Sequence, residues 1–120
     1  MGLQASMGVA NEAISAKEKG TKKEELLAQI PPETPDNAWV TSLMREITHE
    51  VYDFPDIPAT IYTTYRGEMC FQAMKNQDVE LPINYSDALP MLQSCMAETS
   101  EKEQRKCAIR VVDKLVGATQ

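Results

Sequence analysis

Residues 86–117, SDALPMLQSCMAETSEKEQRKCAIRVVDKLVG, decide the fold because they carry two apolar stripes of helical spacing around one short polar turn. The first stripe lies in a helix predicted from about residue 86 to residue 98. The second follows Ser100-Glu-Lys-Glu103, a pattern typical of a capping box at a helix N-terminus. The stripes consist of Leu89, Leu92, Cys95 and Met96, then Cys107, Ala108, Val111, Val112 and Leu115. Two amphipathic helices joined by a tight turn pack antiparallel, so this stretch predicts a C-terminal helical hairpin.

Both helices of the hairpin carry a cysteine on the inward stripe. Cys95 and Cys107 are the first-ranked disulfide pair, because the turn is too short to separate their helices. Cys70 and Cys107 are the second-ranked pair, since an up-down-up arrangement places them at nearly the same height. Reduced core thiols are the remaining interpretation. Because disulfides persist in oxidising compartments, we expect a periplasmic or secreted protein whose leader precedes residue 1, with a cytoplasmic location as the alternative.

Upstream of the hairpin, two longer helices each follow a pair of prolines spaced three residues apart. Thr34 and Pro35 are expected to begin the first helix, which ends at Phe54. The stretch PDIPATIY, residues 55–62, begins the second helix in the same way. The polar segment 76–86 then predicts a long loop laid across the bundle. The expected inward positions are Trp39, Val40, Leu43, Ile47 and Val51 on the first helix and Ile61, Tyr62, Tyr65, Met69, Cys70 and Ala73 on the second.

Residues 1–30 carry a weaker pattern of two helices. Gly20 ends the first helix, and Thr21-Lys-Lys-Glu24 predicts a capping box for the second. The stripe of the first helix is thin and consists of Leu3, Met7, Ala10 and Ile14. We therefore expect this segment to be loosely packed or involved in oligomerisation, a homodimer being one outcome. The whole chain, 1–120, is predicted to be one all-α domain, a compact bundle of five or six helices with its core bundle in residues 34–117.

The formal charge of −6 is concentrated in the middle of the chain. Residues 31–99 contain 3 basic and 11 acidic side chains, whereas residues 100–120 contain 5 basic and 3 acidic ones. An acidic surface repels phosphate backbones and anionic lipid, so nucleic acid and membrane surfaces are disfavoured as partners. No apolar stretch approaches the ~20 residues of a membrane-spanning helix, so we expect no membrane insertion.

No pattern typical of catalysis or metal binding stands out. Successive cysteines are 25 and 12 residues apart, which is not the spacing of zinc ligands. The neighbours Met69-Cys70 and Cys95-Met96 fit core packing better than a copper(I) site. Cys70 and His49 lack the orienting group and oxyanion loop that a cysteine nucleophile needs, and His49 is expected to face solvent. We therefore expect no enzyme activity, no cofactor and no metal.

With catalysis and metal binding disfavoured, the function that the sequence favours is binding through charged side chains. Arg45, Glu46 and Glu50 are expected to point outward from the first long helix. We expect an exported helical binding protein. It would bind an unidentified protein partner through an acidic surface formed by the two long helices and their loops. The expected surface residues are Glu46, Glu50, Asp53, Asp56 and Arg66. An inhibitor or immunity-type protein that blocks a basic cleft of a partner enzyme is the alternative, and a cytosolic adaptor or regulatory subunit with reduced thiols is the second alternative.

Overall fold

The computed structural model describes the backbone of residues 2–75 and 84–119 and the side chains of residues 6–75 and 84–117. Within these ranges the chain forms six α-helices and no strand, which confirms the predicted all-α bundle. The helices are α1 Gly2–Glu18, α2 Lys23–Ala28, α3 Ala38–Asp53, α4 Ala59–Lys75, α5 Tyr85–Ser94 and α6 Glu101–Thr119. A search of the described ranges finds no membrane-spanning helix.

Helix α1 packs against both α4 and α3. Ala10 and Ala13 are buried in the core, and Ser6 is buried on the same helix. Side chains this short let neighbouring helices approach closely. The expectation of a loosely packed N-terminal segment is therefore wrong for α1, whereas a part in oligomerisation stays a prediction. The helix ends as expected at Gly20, whose φ of 88° lies in the left-handed region that glycine adopts without strain.

One apolar core joins α1, α3, α4, α5 and α6. Most of the inward positions predicted on α4 and α6 are buried or half-buried, which confirms their stripes. The largest fully buried side chains are Tyr65, Ile47, Ile61, Leu92, Val112, Thr41 and Cys95. Trp39 and Met96 are exceptions among the predicted core residues, because 53 % and 48 % of their surfaces stay exposed.

The exposure of Trp39 follows from the true start of α3. Thr34 and Pro35 do not begin this helix, because a separate turn comes first. In that turn the Thr34 N–H donates to Asn37 Oδ1 at 2.6 Å, and the Asn37 N–H donates to Thr34 Oγ1 at 3.3 Å. Helix α3 therefore starts at Ala38 and places Trp39 in its first turn, beyond the core.

Two further helix starts differ slightly from their predicted positions. The predicted reciprocal cap of α2 is replaced by a one-sided cap one residue later, since the Lys22 N–H donates to Glu25 Oε1 at 3.0 Å and the Lys22 ammonium group has no acceptor for a return bond. Helix α5 begins at Tyr85, one residue before the predicted start at about residue 86. Most of the loop predicted at 76–86 lies outside the described residues.

Helices α5 and α6 form the predicted C-terminal hairpin. The Glu103 N–H donates to Ser100 Oγ at 3.1 Å, as the capping box requires. Helix α5 does not continue to residue 98; it ends at Ser94, and a 3₁₀ turn, Cys95–Ala97, follows. Cys95 thus lies in the connection, and its partner Cys107 lies in the second turn of α6.

The structure joins Cys95 and Cys107 in a disulfide with a Cα–Cα distance of 5.7 Å. This distance lies in the range that disulfide geometry allows. Cys70 is the free cysteine, so the second-ranked pair is not formed. The disulfide ties the connection between α5 and α6 to the buried side of α6.

Candidate functional site

The structure brings Glu46, Glu50 and Arg66 together between α3 and α4. Arg66 Nη2 donates to Glu46 Oε1 and to Glu50 Oε2, both at 2.8 Å. Arg66 Nε donates to Glu50 Oε1 at 3.2 Å, and the Tyr62 hydroxyl donates to the same oxygen at 2.8 Å. These four side chains, called the Arg66 network below, bridge the two long helices.

Two members of the network are not surface residues. Arg66 is 5 % exposed and Glu50 is 9 % exposed, so the expectations that Glu50 points outward and that both belong to an exposed surface are wrong. Glu50 follows the fully buried Ile47 by three residues, which places both on one face of α3. A sequence signal for the network exists: Glu46 and Glu50 are four residues apart on one helix, as are Tyr62 and Arg66 on the next.

Burial and neighbouring charges shift the pKa values of both Glu50 and Arg66. It raises the pKa of Glu50 above the ordinary value of 4.5, and the charge of Arg66 opposes that shift. Burial alone would lower the pKa of Arg66, but Glu50, Tyr62 and Glu46 outweigh it and raise that pKa. The guanidinium therefore stays charged, and Glu50 is the member of this pair that titrates.

We expect Glu50→Gln to change how stability depends on pH. Because folding raises the pKa of Glu50, ionisation favours the unfolded chain, and the free energy of unfolding falls as pH rises from 4.5 through the folded pKa. Glutamine does not ionise, so the stability of the variant minus that of the wild type should become more positive over this interval. Urea denaturation at a series of pH values measures the difference. A constant difference, or one that moves in the opposite direction, would contradict the assignment.

A cluster of aromatic rings packs beside the Arg66 network. Tyr85, the first residue of α5, meets Phe54 and Tyr62 edge to face at centroid distances of 5.1 and 5.6 Å, and Tyr65 at 5.5 Å. Burial first and the charge of Glu50 second raise the pKa of all three tyrosines, which therefore stay protonated. The buried Tyr65 hydroxyl has no hydrogen-bond partner among the described residues.

A cavity of about 330 Å³ opens beside the network, where the end of α1 and the end of α3 meet the start of α4. This volume lies near the lower end of the range for ligand pockets. Half-buried Ile14, Val51 and Ile57 contribute apolar surface, and Glu50 and Tyr62 are buried polar groups that line it. Pockets that combine apolar walls with a few converging polar groups of shifted pKa are the usual place to look for a binding site.

The two remaining residues of the predicted surface, Asp53 and Asp56, form ion pairs with lysines of α2 and α1. Lys17 Nζ, on the cavity lining, donates to the Val51 carbonyl at 2.9 Å and to Asp56 Oδ1 at 2.5 Å. Lys23 Nζ donates to both oxygens of Asp53, at 2.7 and 2.8 Å. The hydrogen bond from Lys23 is the main cause of the lowered pKa of Asp53. The acidic excess of the middle segment is thus partly neutralised, which charge counting along the chain did not predict.

Three carboxylates stay exposed along the second half of α3 and in the connection that follows it, despite their ion pairs. They are Glu46, Asp53 and Asp56, and together with the cavity they are called the acidic corner below. Ion pairs between exposed groups contribute only ~0–1 kcal/mol each. The side chains of Asp56 and Asp53 are 77 % and 45 % exposed, so a basic group of another molecule can approach them while Lys17 and Lys23 keep their bonds.

His49 is exposed, as predicted, and its Nδ1 lies 3.4 Å from Asp53 Oδ2. It lines an open depression of about 410 Å³ that shares Glu50 and Tyr85 with the neighbouring cavity. Cys70 does not line this depression, so the depression does not bring together the two residues considered for cysteine catalysis. Burial raises the pKa of Cys70, and a thiol with a raised pKa reacts slowly.

We expect His49→Ala to change the free energy of unfolding by no more than about 0.5 kcal/mol, because an exposed side chain with one long polar contact contributes little. Chemical denaturation followed by circular dichroism measures the change. Thr48→Ala is the matched control on the same turn, since it truncates a buried residue whose hydroxyl donates to the Met44 carbonyl at 2.7 Å. A loss of several kcal/mol in His49→Ala would show that the residue has a structural role.

Within the part of the chain that the structure describes, no three histidine, cysteine, aspartate or glutamate side chains gather in a way that could hold a metal ion. Comparison of the chain with protein-family models, curated proteins and solved structures finds no significant match. The function therefore has to be inferred from the acidic corner itself.

Proposed function

We propose that the chain is a small exported binding protein that acts on a protein partner through the acidic corner and performs no catalysis. The observation that carries this proposal is the combination of a preformed cavity with exposed carboxylates at one end of the bundle. A partner with basic side chains complements this surface. An inhibitor that fills a basic cleft of an enzyme is one form of the same function.

The Arg66 network supports the proposal because it holds the acidic corner in one geometry. Arg66 fixes Glu46 from behind, and Tyr62 fixes Glu50, so both carboxylates keep their positions before any partner arrives. A surface that is already ordered loses less conformational entropy on binding than a flexible one. Asp53 and Asp56 stay exposed beside their partly buried lysine partners and are therefore accessible to a partner protein.

The disulfide supports export. A structural disulfide between Cys95 and Cys107 is stable outside the cytosol and is rarely kept inside it. Small exported domains use such bonds to supplement a core of limited size. The cytosolic adaptor remains the alternative, and the redox state of the purified protein distinguishes the two.

The proposal can be tested by selecting random displayed peptides on the full wild-type chain. We expect the selected peptides to be rich in lysine or arginine and to bind Asp53→Lys roughly tenfold more weakly, since one attraction becomes a repulsion. Asp36→Lys is the matched control, because it makes the same charge change at an exposed site before the opposite end of α3. Peptides without basic enrichment, or equal losses in the two variants, would contradict the proposal.

A further inference from the structure

The cavity of the acidic corner has the charge of a site for a cation. Its lining contains one lysine, Lys17, and three carboxylates, those of Glu18, Glu50 and Asp56. Lys17 is already paired with Asp56. Arg66, which does not line the cavity, is paired with Glu50, so three carboxylates less these two cations leave a net charge of −1. An entering positive charge would therefore meet an excess of negative charge, and in a partly enclosed site this attraction is less screened than on an open surface.

The walls of the cavity suit an unbranched aliphatic chain. Ile14, Val51 and Ile57 are half-buried and line the cavity together with Pro55 and Pro58. A lysine side chain presents four methylene groups and one terminal charge, and such stems commonly lie along apolar surface while the charged end finds a polar partner. The volume of about 330 Å³ leaves room for one side chain of this length.

The hydrogen bonds of Glu50 distinguish lysine from arginine. A carboxylate has about four acceptor positions, and three of those on Glu50 are used by the Tyr62 hydroxyl, Arg66 Nε and Arg66 Nη2. No pair of free positions remains for the two parallel bonds that a second guanidinium would make. One position is enough for an ammonium group, which acts as a point charge.

We propose that this cavity receives one lysine side chain of the partner protein, with its stem against Ile14, Val51 and Ile57 and its ammonium group at Glu50. The inference rests on the proposed function, since it names the group by which the partner is held. The ammonium group enters beside Lys17, which keeps its bond to Asp56 on the exposed side. Binding in this mode requires Glu50 as an acceptor and the cavity as free space.

The test is a titration of the full chain with acetyl-Gly-Lys-Gly-amide, followed by the amide resonances of Ala59 and Tyr62. We expect saturable shifts with the lysine peptide, and roughly tenfold weaker binding when norleucine or arginine replaces lysine, because each lacks the single compact charge. Glu50→Gln should weaken binding roughly tenfold, as expected for loss of a charge-assisted hydrogen bond. Ala59→Leu, which fills the cavity from an exposed position, should do the same.

Glu33→Gln is the matched control, because it makes the same change at an exposed, paired carboxylate outside the acidic corner and should leave the affinity within about twofold. Absence of saturable shifts, equal binding of the norleucine peptide, or unchanged affinity in Glu50→Gln and Ala59→Leu would each overturn the proposal. So would binding of butylammonium without binding of the lysine peptide, which would indicate a free amine as ligand. Selected peptides that respond to Asp53→Lys but not to Ala59→Leu would overturn this inference alone and leave the proposed function standing.

Discussion

Replacing Arg66 with methionine should lower the free energy of unfolding by about 3–5 kcal/mol, the usual result of removing one partner of a buried ion pair. Arg66 is almost fully buried and bonds both oxygens of Glu50. Methionine has a similar length but no donors, so the Glu50 carboxylate would stay buried with only the Tyr62 hydroxyl as partner. Urea denaturation at neutral pH measures the change.

Arg45→Met is the matched control for this prediction. Arg45 is exposed and pairs with Glu33 at 2.6 Å, so its replacement should change stability by less than about 1 kcal/mol. The double variant Arg66→Met, Glu50→Gln should recover part of the loss, because the unpaired carboxylate is gone. Equal effects of Arg66→Met and Arg45→Met, or no recovery in the double variant, would contradict the assigned role of the Arg66 network.

Replacing both Cys95 and Cys107 with alanine should lower the free energy of unfolding by about 3 kcal/mol. The disulfide closes a loop with a sequence separation of 12 and restricts the unfolded chain accordingly. The unreduced wild-type protein, purified from an oxidising compartment, should show one reactive thiol under denaturing conditions and three after reduction. Urea denaturation measures the loss of stability, and thiol titration before and after reduction measures the number of free thiols.

Cys70→Ala is the matched control, since Cys70 takes no part in the disulfide and is only partly buried. It should cost less stability than the double replacement and leave no free thiol before reduction. Three thiols in the unreduced wild type would contradict the bond and remove the main support for export. A bond mapped to Cys70 and Cys107 would preserve the support for export but contradict the pairing.

Apolar spacing predicted most of the helices because burial of one helix face is a local property of the sequence. The stripe that includes Val111 and Val112 on α6 is buried as its period indicates, whereas α4 buries Tyr62 and Tyr65 of its predicted stripe together with all the other residues from 61 to 67. Helix α1 was underestimated for a physical reason. Its burial depends on short side chains such as Ala10, which contribute little to an apolar stripe but permit close packing against α3 and α4.

The Arg66 network was not predicted because its burial depends on a partner from another helix. A glutamate or an arginine taken alone belongs in water, so Glu50 and Arg66 were assigned to the surface. Burial of either residue is tolerable only when the other is present to pair with it. The sequence alone does not show which helices pack against each other. The same limit explains the lysine pairs of Asp53 and Asp56, which come from α1 and α2.

Docking of a partner at the acidic corner is tested most directly by an amide chemical-shift map of the full chain bound to a peptide selected on it. We expect the largest shifts in residues 50–62, which contain the end of α3, the connection and the start of α4. A map centred on the groove near Phe71 and Ile109, whose side chains are also exposed, would contradict this expectation.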